Sequence, residues 1–285
     1  MMPNFVAEVS SNHFRDIDRC LRFIDVAASI GCGAVKFQLF KLEDLFAPEI
    51  LAKSEKIRRR KNWELPPEFL PALSTRCRSR DLLFSCTPFY LEAVNQLAPY
   101  VDFFKIASYE LLWKELLKAC AASGKPVVLS TGMATIDEIA GAVATLQAAG
   151  CRNLTLLHCV SGYPTPVEEC NLAAIETMRK AFSCDVGWSD HSVSAAVITR
   201  AVHRWGASMV EFHLDLDGHG EEFATGHCWL PEPMACVIRD VKAAMTSDGS
   251  GEKAPTPAEL PDRNWRADPS DGLRPFKQVR VNWNG

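Results

Sequence analysis

Lys36 and Lys105 each interrupt an apolar run, Ala34-Val35-Lys36-Phe37-Gln38 and Phe103-Phe104-Lys105-Ile106-Ala107-Ser108. Burying an ammonium is costly unless it is paired. Each lysine therefore either reaches an anion at a strand end or points outward and snorkels to water. The polar residues just beyond, Gln38 and Ser108, favour the anion. Small hydroxyls recur in comparable places: Thr87, Ser108, Ser130 before Thr131-Gly132, Ser161 before Gly162, and Ser189. Any one of them suits a helix N-cap. As a set beside two lysines they suit a phosphate or carboxylate, which hydroxyls and free backbone N–H groups bind well. His191 in Trp188-Ser189-Asp190-His191 and His213 in Val210-Glu211-Phe212-His213 close two further runs, and His158 closes another. Adjacent strands lie ~4.8 Å apart, so His191 and His213 could share a divalent ion; a hydrogen-bonded core role is the alternative. Glu8, Glu110 and Glu211 are candidate acids or bases, or else ion-pair partners of the lysines. His203 reads as surface, whereas His219 and His227, within residues 218–229, are either part of a loop over the site or ligands in reserve.

The elements that must carry these groups repeat. Apolar runs at residues 5–9, 34–37, 82–86, 101–106, 126–129, 154–157, 185–188 and 208–212 read as eight strands. Helical spacing follows most of them. In residues 16–30 it runs through Ile17, Leu21, Ile24 and Ala27, with Gly31 and Gly33 closing the helix. Strict alternation implies parallel strands joined by right-handed crossovers. An open doubly wound sheet would need a glycine-rich first turn, and Ser10-Ser11-Asn12-His13 is not one. The expected fold is therefore a (β/α)8 TIM barrel, which takes about 250 residues and gathers all its strand ends at one mouth. Residues 1–245 make up the barrel. Residues 41–66 form a long connection of the kind that often acts as a lid, and they contain the basic run Lys56-Ile57-Arg58-Arg59-Arg60-Lys61. Residues 246–285, rich in Pro, Gly, Asp and Arg, read as a short irregular C-terminal tail without a core of its own, with room for a short strand at 278–281.

Composition narrows the function. A net charge of -4 gives no bulk attraction to nucleic acid, and the basic run reads as a solvated face. Eleven cysteines without a Cys-x-x-Cys pair argue against a disulfide framework and for a reducing compartment. No run approaches the ~18 apolar residues of a membrane span, and the first residues lack a signal-peptide pattern, so a cytoplasmic protein without a membrane partner is expected.

Read in order, the motifs resemble the sialic acid synthase family. They are Ala7-Glu8-Val9 with Asn12-His13, Ala34-Val35-Lys36-Phe37-Gln38, Cys86-Thr87-Pro88-Phe89 and Phe104-Lys105-Ile106-Ala107-Ser108 with Glu110. Leu129-Ser130-Thr131-Gly132-Met133, Leu157-His158-Cys159, Tyr163-Pro164-Thr165-Pro166, Gly187-Trp188-Ser189-Asp190-His191 and Glu211-Phe212-His213 complete the set. The resemblance spans about residues 5–235 and implies an enzyme, a C–C bond-forming transferase of carbohydrate biosynthesis. Such an enzyme condenses phosphoenolpyruvate with the aldehyde of an N-acylated amino-sugar, using Mn²⁺ or Mg²⁺, to give a nonulosonic acid and phosphate. It implies that Lys36, Thr87 and Lys105 hold the substrate carboxylate and that Ser108, Ser130, Ser161 and Ser189 hold its phosphate. His191 and His213 would be the metal ligands, Tyr163 and Gln38 would line the sugar site, and Glu8 with Glu110 would manage protons.

The sequence departs from the family pattern in three places. The family's loop Gly-Pro-Asp-His, whose Asp touches sugar and metal, aligns with Ala224-Thr225-Gly226-His227, leaving Asp217, Glu221 or Glu222 to supply a carboxylate. Typical members continue into an antifreeze-like domain that lends an Arg to the partner's site in a homodimer. The sequence shows no such domain before Gly285, although Arg266 or Arg274 could substitute. Ser192 stands where Thr is usual. Three alternatives stay open: a related 3-deoxy-ulosonate synthase acting on a phosphorylated aldose, for which the basic run would be the anchor; a Schiff-base aldolase or isomerase; and a catalytically silent barrel that binds a sugar or a partner.

Overall fold

Short β-branched and aromatic runs, too brief for helices, form strands that hydrogen-bond to one another in chain order in the computed structural model, which describes residues 2–283. They are β1 (Asn4–Glu8), β2 (Ala34–Leu39), β3 (Leu83–Pro88), β4 (Phe103–Ile106), β5 (Val127–Ser130), β6 (Leu154–Cys159), β7 (Asp185–Asp190) and β8 (Met209–Leu214). All pairings are parallel, and β1 also pairs with β8, with Glu8 opposite His213. The sheet closes, and the (β/α)8 barrel follows. A two-residue strand, β9 (Cys228–Trp229), adds to the end of β8 with His213 opposite Cys228.

Helix α1 (Ile17–Ser29) starts where the Asp16 carboxylate accepts the N–H groups of Asp18 and Arg19, and it buries Cys20, Phe23, Ile24 and Ala27. Residues 41–66 hold three short helices, α2 (Leu42–Leu45), α3 (Pro48–Lys53) and α4 (Glu55–Arg58), and a 3-10 turn at Arg59–Trp63. The crossovers resume with α5 (Leu70–Ser79), α6 (Leu91–Leu97), α7 (Lys114–Ala122), α8 (Ile136–Ala148), α9 (Ala174–Phe182), α10 (Ala195–His203) and α11 (Pro231–Ser247). Most of the basic run is used within its own segment. Arg58 donates to the Leu51 carbonyl at 2.6 Å, Arg59 pairs with Glu55, Arg60 lies over the Phe46 and Trp63 rings, and Lys61 bridges Glu43 and Glu64.

The period of two along each strand sorts the side chains. Val6, Ala34, Phe103, Val128, Leu157 and Met209 pack together as a small apolar cluster inside the barrel. Two residues further along each of these strands come Glu8, Lys36, Lys105, Ser130, Cys159 and Glu211, so the same parity that fills the barrel floor builds a polar layer above it. The other parity faces the helices and forms the large outer core, including Phe5, Val35, Phe37, Phe84, Phe104 and Trp188. Gly187 has the inward parity and its backbone lies so close to the Met209 carbonyl and the Leu157 side chain that a β-carbon would collide with both. Among the described residues no helix is long and apolar enough to cross a membrane, and all eleven cysteines are free, most of them buried.

The chain parts into two compact units between Met245 and Thr246. In the second unit Pro275 is the one buried position among the described residues. The strand expected at 278–281 is instead part of a helix, α12 (Lys277–Val281). A strand needs a partner edge, and the described residues of this unit contain no other strand; the helix satisfies its own N–H groups, with Val279 and Arg280 both donating to the Phe276 carbonyl.

Candidate active site

Two buried lysines dominate the mouth. Lys36 on β2 forms an ion pair with Glu8 on β1 and donates to Thr87 Oγ1 on β3 at 3.3 Å. Lys105 on β4 reaches Glu211 Oε1 on β8 at 3.3 Å, and Lys36 lies 3.9 Å from the same oxygen. Burial works against the Lys36 ammonium, but Glu211 and Glu8 together hold its pKa above the ordinary lysine value. Burial pulls Lys105 down, only partly offset by Glu211. Burial also opposes ionisation of Glu211, yet the two lysines keep its carboxyl below the usual range. Each ammonium has three donors. Lys105, with Glu211 as its ion-pair partner, has N–H groups to offer a ligand. Glu110, in the turn after β4, is pushed up to about 7 by burial, and its Oε2 is buried without a partner.

Next to the lysines is a lining of hydroxyls. Ser130 and Ser161 have buried Oγ atoms without a hydrogen-bond partner, and Ser108 Oγ accepts from Gly132 N at 3.0 Å. Gly132 lies among them: a β-carbon there would run into the hydroxyls of Ser161 and Ser108 and the Cys159 sulfur. Ser189 Oγ donates to Glu211 at 3.3 Å. Buried hydroxyls without a protein partner beside two ammoniums make up a pocket whose chemistry suits an anion.

On the adjoining strands three imidazoles and a tyrosine cluster. Ring centroids lie 5.4 Å apart for His191 and His213, 4.7 Å for His213 and His227, and 4.2 Å for Tyr163 and His191. His191 Nδ1 donates to the Val160 carbonyl at 2.8 Å, and burial together with its neighbour His213 lowers its pKa to about 3, so the ring is neutral. Glu222 Oε2 accepts from His213 Nδ1 at 2.9 Å and lies 3.6 Å from His227 Nε2, while Ser10 donates to Glu222 Oε1. Burial opposes the charge of both groups, but the pairing holds His213 above the usual histidine value and Glu222 below the usual carboxylate range. One donor atom each from His213, Glu222, His227 and Cys228 falls within a 4.8 Å group, the chemistry of a divalent-metal site.

This fold is shared with known proteins. A model of the NeuB family matches residues 23–253. The chain belongs to the NeuB family. An uncharacterised protein of Methanocaldococcus jannaschii is 38% identical over 90% of this chain and 75% of its own length. N,N'-diacetyllegionaminic acid synthase of Campylobacter jejuni is 32% identical over 89% of the chain and 80% of its own. Among solved structures, N-acetylneuraminic acid synthetase of Leptospira borgpetersenii serovar Hardjo-bovis, in complex with citrate, superposes with a TM-score of 0.80 at 31% identity, covering 93% of this chain and 91% of the other.

Within this NeuB-family barrel, Glu8, Lys36, Gln38, Thr87, Lys105, Ser130, Ser189 and Glu211 lie on strands and Ser108, Glu110, Ser161, Tyr163 and His191 in the turns that follow, all at one end. Gln38 donates to Glu8 Oε1 at 2.7 Å, which makes Glu8 the counter-ion of Lys36 and the acceptor of Gln38. His158 does not join them. It has the outward parity of Leu156, stacks 5.3 Å from the Trp188 ring and bonds the Cys170 carbonyl. Of the three loop carboxylates, Glu222 reaches the imidazoles, whereas Asp217 pairs with Arg19 and Glu221 accepts from Trp63 Nε1. Ser10 carried no sequence signal beyond its place after β1, and Asn12 none beyond the motif Asn12-His13. Asn12 Oδ1 accepts from Glu222 N at 3.2 Å, and its Nδ2 donates to the Leu214 carbonyl.

Proposed function

We propose that this protein joins phosphoenolpyruvate to the open-chain aldehyde of an N-acylated amino-sugar, with a divalent ion of the Mn²⁺ or Mg²⁺ kind, to give a nonulosonic acid and phosphate. The observation that carries the reading is one mouth holding both a buried two-lysine pocket lined by unpaired hydroxyls and an adjoining imidazole cluster. An anionic three-carbon substrate fits the first, and the activated oxygen of an aldehyde fits the second.

Lys105, Lys36 and Thr87 bind the carboxylate, while Ser108, Ser130 and Ser161 surround the phosphate. This orientation turns C3 of phosphoenolpyruvate toward the aldehyde carbon. His191 and His213 would hold the divalent ion, which when bound would supply Lewis-acid polarisation of the aldehyde oxygen. The new C–C bond forms at C3, water adds at C2, and the C2–O bond to phosphate breaks. Positive charge from the lysine pair offsets the negative charge that builds on the phosphate-bearing centre. Glu110, its carboxyl pushed up to about 7 by burial, gives a proton to the departing phosphate. Tyr163, against the His191 ring, lines the sugar side with Gln38. A phosphorylated acceptor gains no support from the basic run, whose Arg58–Lys61 are held by carbonyls, carboxylates and rings of their own segment.

The test is metal-dependent phosphate release from phosphoenolpyruvate with N-acetylmannosamine, 2,4-diacetamido-6-deoxy sugars and phosphorylated aldoses. Release with an N-acylated sugar, lost in both Lys105→Ala and His213→Ala, is the expected result. Release only with phosphorylated aldoses would replace the acceptor class, and failure to bind phosphoenolpyruvate at all would remove the synthase reading.

A further inference from the structure

Glu222, Ser10, Gln38 and Glu8 form a hydrogen-bonded run from the β8–β9 loop to β1, and chemistry allows its bonds only one direction. Glu222 Oε1 is a carboxylate oxygen, so the Ser10 hydroxyl gives it its proton, at 2.5 Å. With that proton spent, Ser10 Oγ can only accept, and it takes one hydrogen of Gln38 Nε2 at 3.1 Å. The other Nε2 hydrogen goes to Glu8 Oε1 at 2.7 Å. Glu8, ion-paired with Lys36, likewise only accepts. Carboxylates at both ends therefore fix every donor between them. Both hydrogens of the Gln38 amide are used inside the protein. Its Oε1 has no protein partner among the described residues.

Ser10 holds its place at a cost in backbone strain. Its φ of 47 lies in the left-handed region, where glycine is free and a residue with a β-carbon is strained. Strain of this kind persists where the surroundings hold it and gathers at binding sites. Ser10 is 5% exposed, between Gln38 and Glu222. A glycine would make the same turn without strain and without the hydroxyl. Glu8 by itself settles which end of the Gln38 amide turns toward β1. One hydrogen bond leaves the amide plane free to swing and its second hydrogen free to meet a ligand. Ser10 takes that hydrogen and fixes the plane.

We propose that Ser10 is a positioning residue for the sugar side of the mouth: it locks the Gln38 amide so that the carbonyl oxygen alone meets the acceptor sugar, which must supply an N–H or O–H there. The inference deepens the synthase reading and rests on the place of Gln38 beside the sugar. A sugar with a hydroxyl or an acylamino group at that point satisfies Oε1, whereas an ether oxygen or a deoxy carbon leaves it unpaired.

The experiment compares the full-length wild type with Ser10→Gly, which keeps the turn and removes the hydroxyl. The first readout is the side-chain amide of Gln38 in nitrogen-15 NMR without substrate, assigned by its loss in Gln38→Met. Wild type should show two distinct, slowly exchanging hydrogens, and in Ser10→Gly one of them should exchange about tenfold faster. The second is phosphate release with N-acetylmannosamine and with 2,4-diacetamido-6-deoxy sugars. KM for the sugar should rise about tenfold in Ser10→Gly and that for phosphoenolpyruvate less than about twofold. Tm should not fall, because glycine relieves the strained turn. Ser10→Ala, which keeps the strain, should show the same rise in KM at a lower Tm. Equal exchange of the Gln38 hydrogens in wild type and Ser10→Gly would overturn the inference. So would an unchanged sugar KM, or an equal rise in both KM values together with a lower Tm, the mark of a hydroxyl that only holds the loop. The two readings separate cleanly: a locked amide in a wild type that turns over no acceptor counts against the synthase, and normal turnover by Ser10→Gly counts against the lock.

Discussion

Glu110 shows how burial alone can set the chemistry of one residue. Its carboxyl is shifted from 4.5 to about 7, so the folded chain holds this proton more tightly than the unfolded chain does. That contribution to stability, about 3 kcal/mol, is complete below pH 4.5 and is lost as pH rises through about 7. Glu110→Gln should therefore flatten the pH dependence of urea unfolding between pH 4.5 and 7; superimposable slopes in the two proteins would mean that the carboxyl is not protonated there. In phosphate release, wild-type kcat/KM should fall above pH 7 if Glu110 acts as the acid. Lys105 illustrates the opposite balance: its side chain is 3% exposed and its ammonium is held by Glu211. Truncating it to Ala removes a donor to the substrate and at the same time leaves a carboxylate with one cation fewer.

Among the elements, the β8–β9 loop is held from α1. Arg19, 6% exposed in its side chain, donates to the Asn12 carbonyl at 2.7 Å and pairs with Asp215 at 3.0 Å and Asp217 at 2.7 Å. Asp215 in turn accepts the N–H groups of Gly218 and Gly220. Gly220 has Asn12 and Asp215 packed so tightly against it that no β-carbon fits. Removing one member of a buried pair leaves the other charge unpaired, so Arg19→Ala should cost about 3 kcal/mol in urea unfolding. It should also loosen the loop that carries Glu222 and His227, and phosphate release by the folded variant should fall without any change at the histidines. Full activity in that variant would show that the loop keeps its path unaided. A second tie crosses the mouth, where Trp63 from the segment after β2 donates to Glu221 of this loop.

For the molecule as a whole, closing the sheet brings distant residues to one end, so ligands that bind there stabilise the entire barrel by mass action. At about 100 times its Kd an ion or phosphoenolpyruvate adds about 2.7 kcal/mol. For a chain of this size that is a rise in Tm of about 5 °C. Calorimetry with each ligand and then with both should show the increments; no shift with phosphoenolpyruvate would argue against the lysine pocket as its site.

Much of this was legible along the chain because strand parity is local. Lys36, Lys105, Ser130 and Glu211 each follow an inward apolar residue by two positions, so their convergence follows from alternating short runs and a closed parallel sheet. The same rule, applied strictly, would have kept His158 out of the mouth. The possible strand at 278–281 became a helix because a run of that length takes whichever structure its surroundings allow, and the described residues of its unit offer no strand edge to pair with. Which carboxylate serves the imidazoles was not legible. Asp217, Glu221 and Glu222 are near neighbours of similar chemistry, and their fates are decided by three partners far away in sequence, Arg19, Trp63 and His213. A loop's path depends on such distant anchors rather than on a local period, so only the folded barrel could assign Glu222 to His213 and bring His227 beside it.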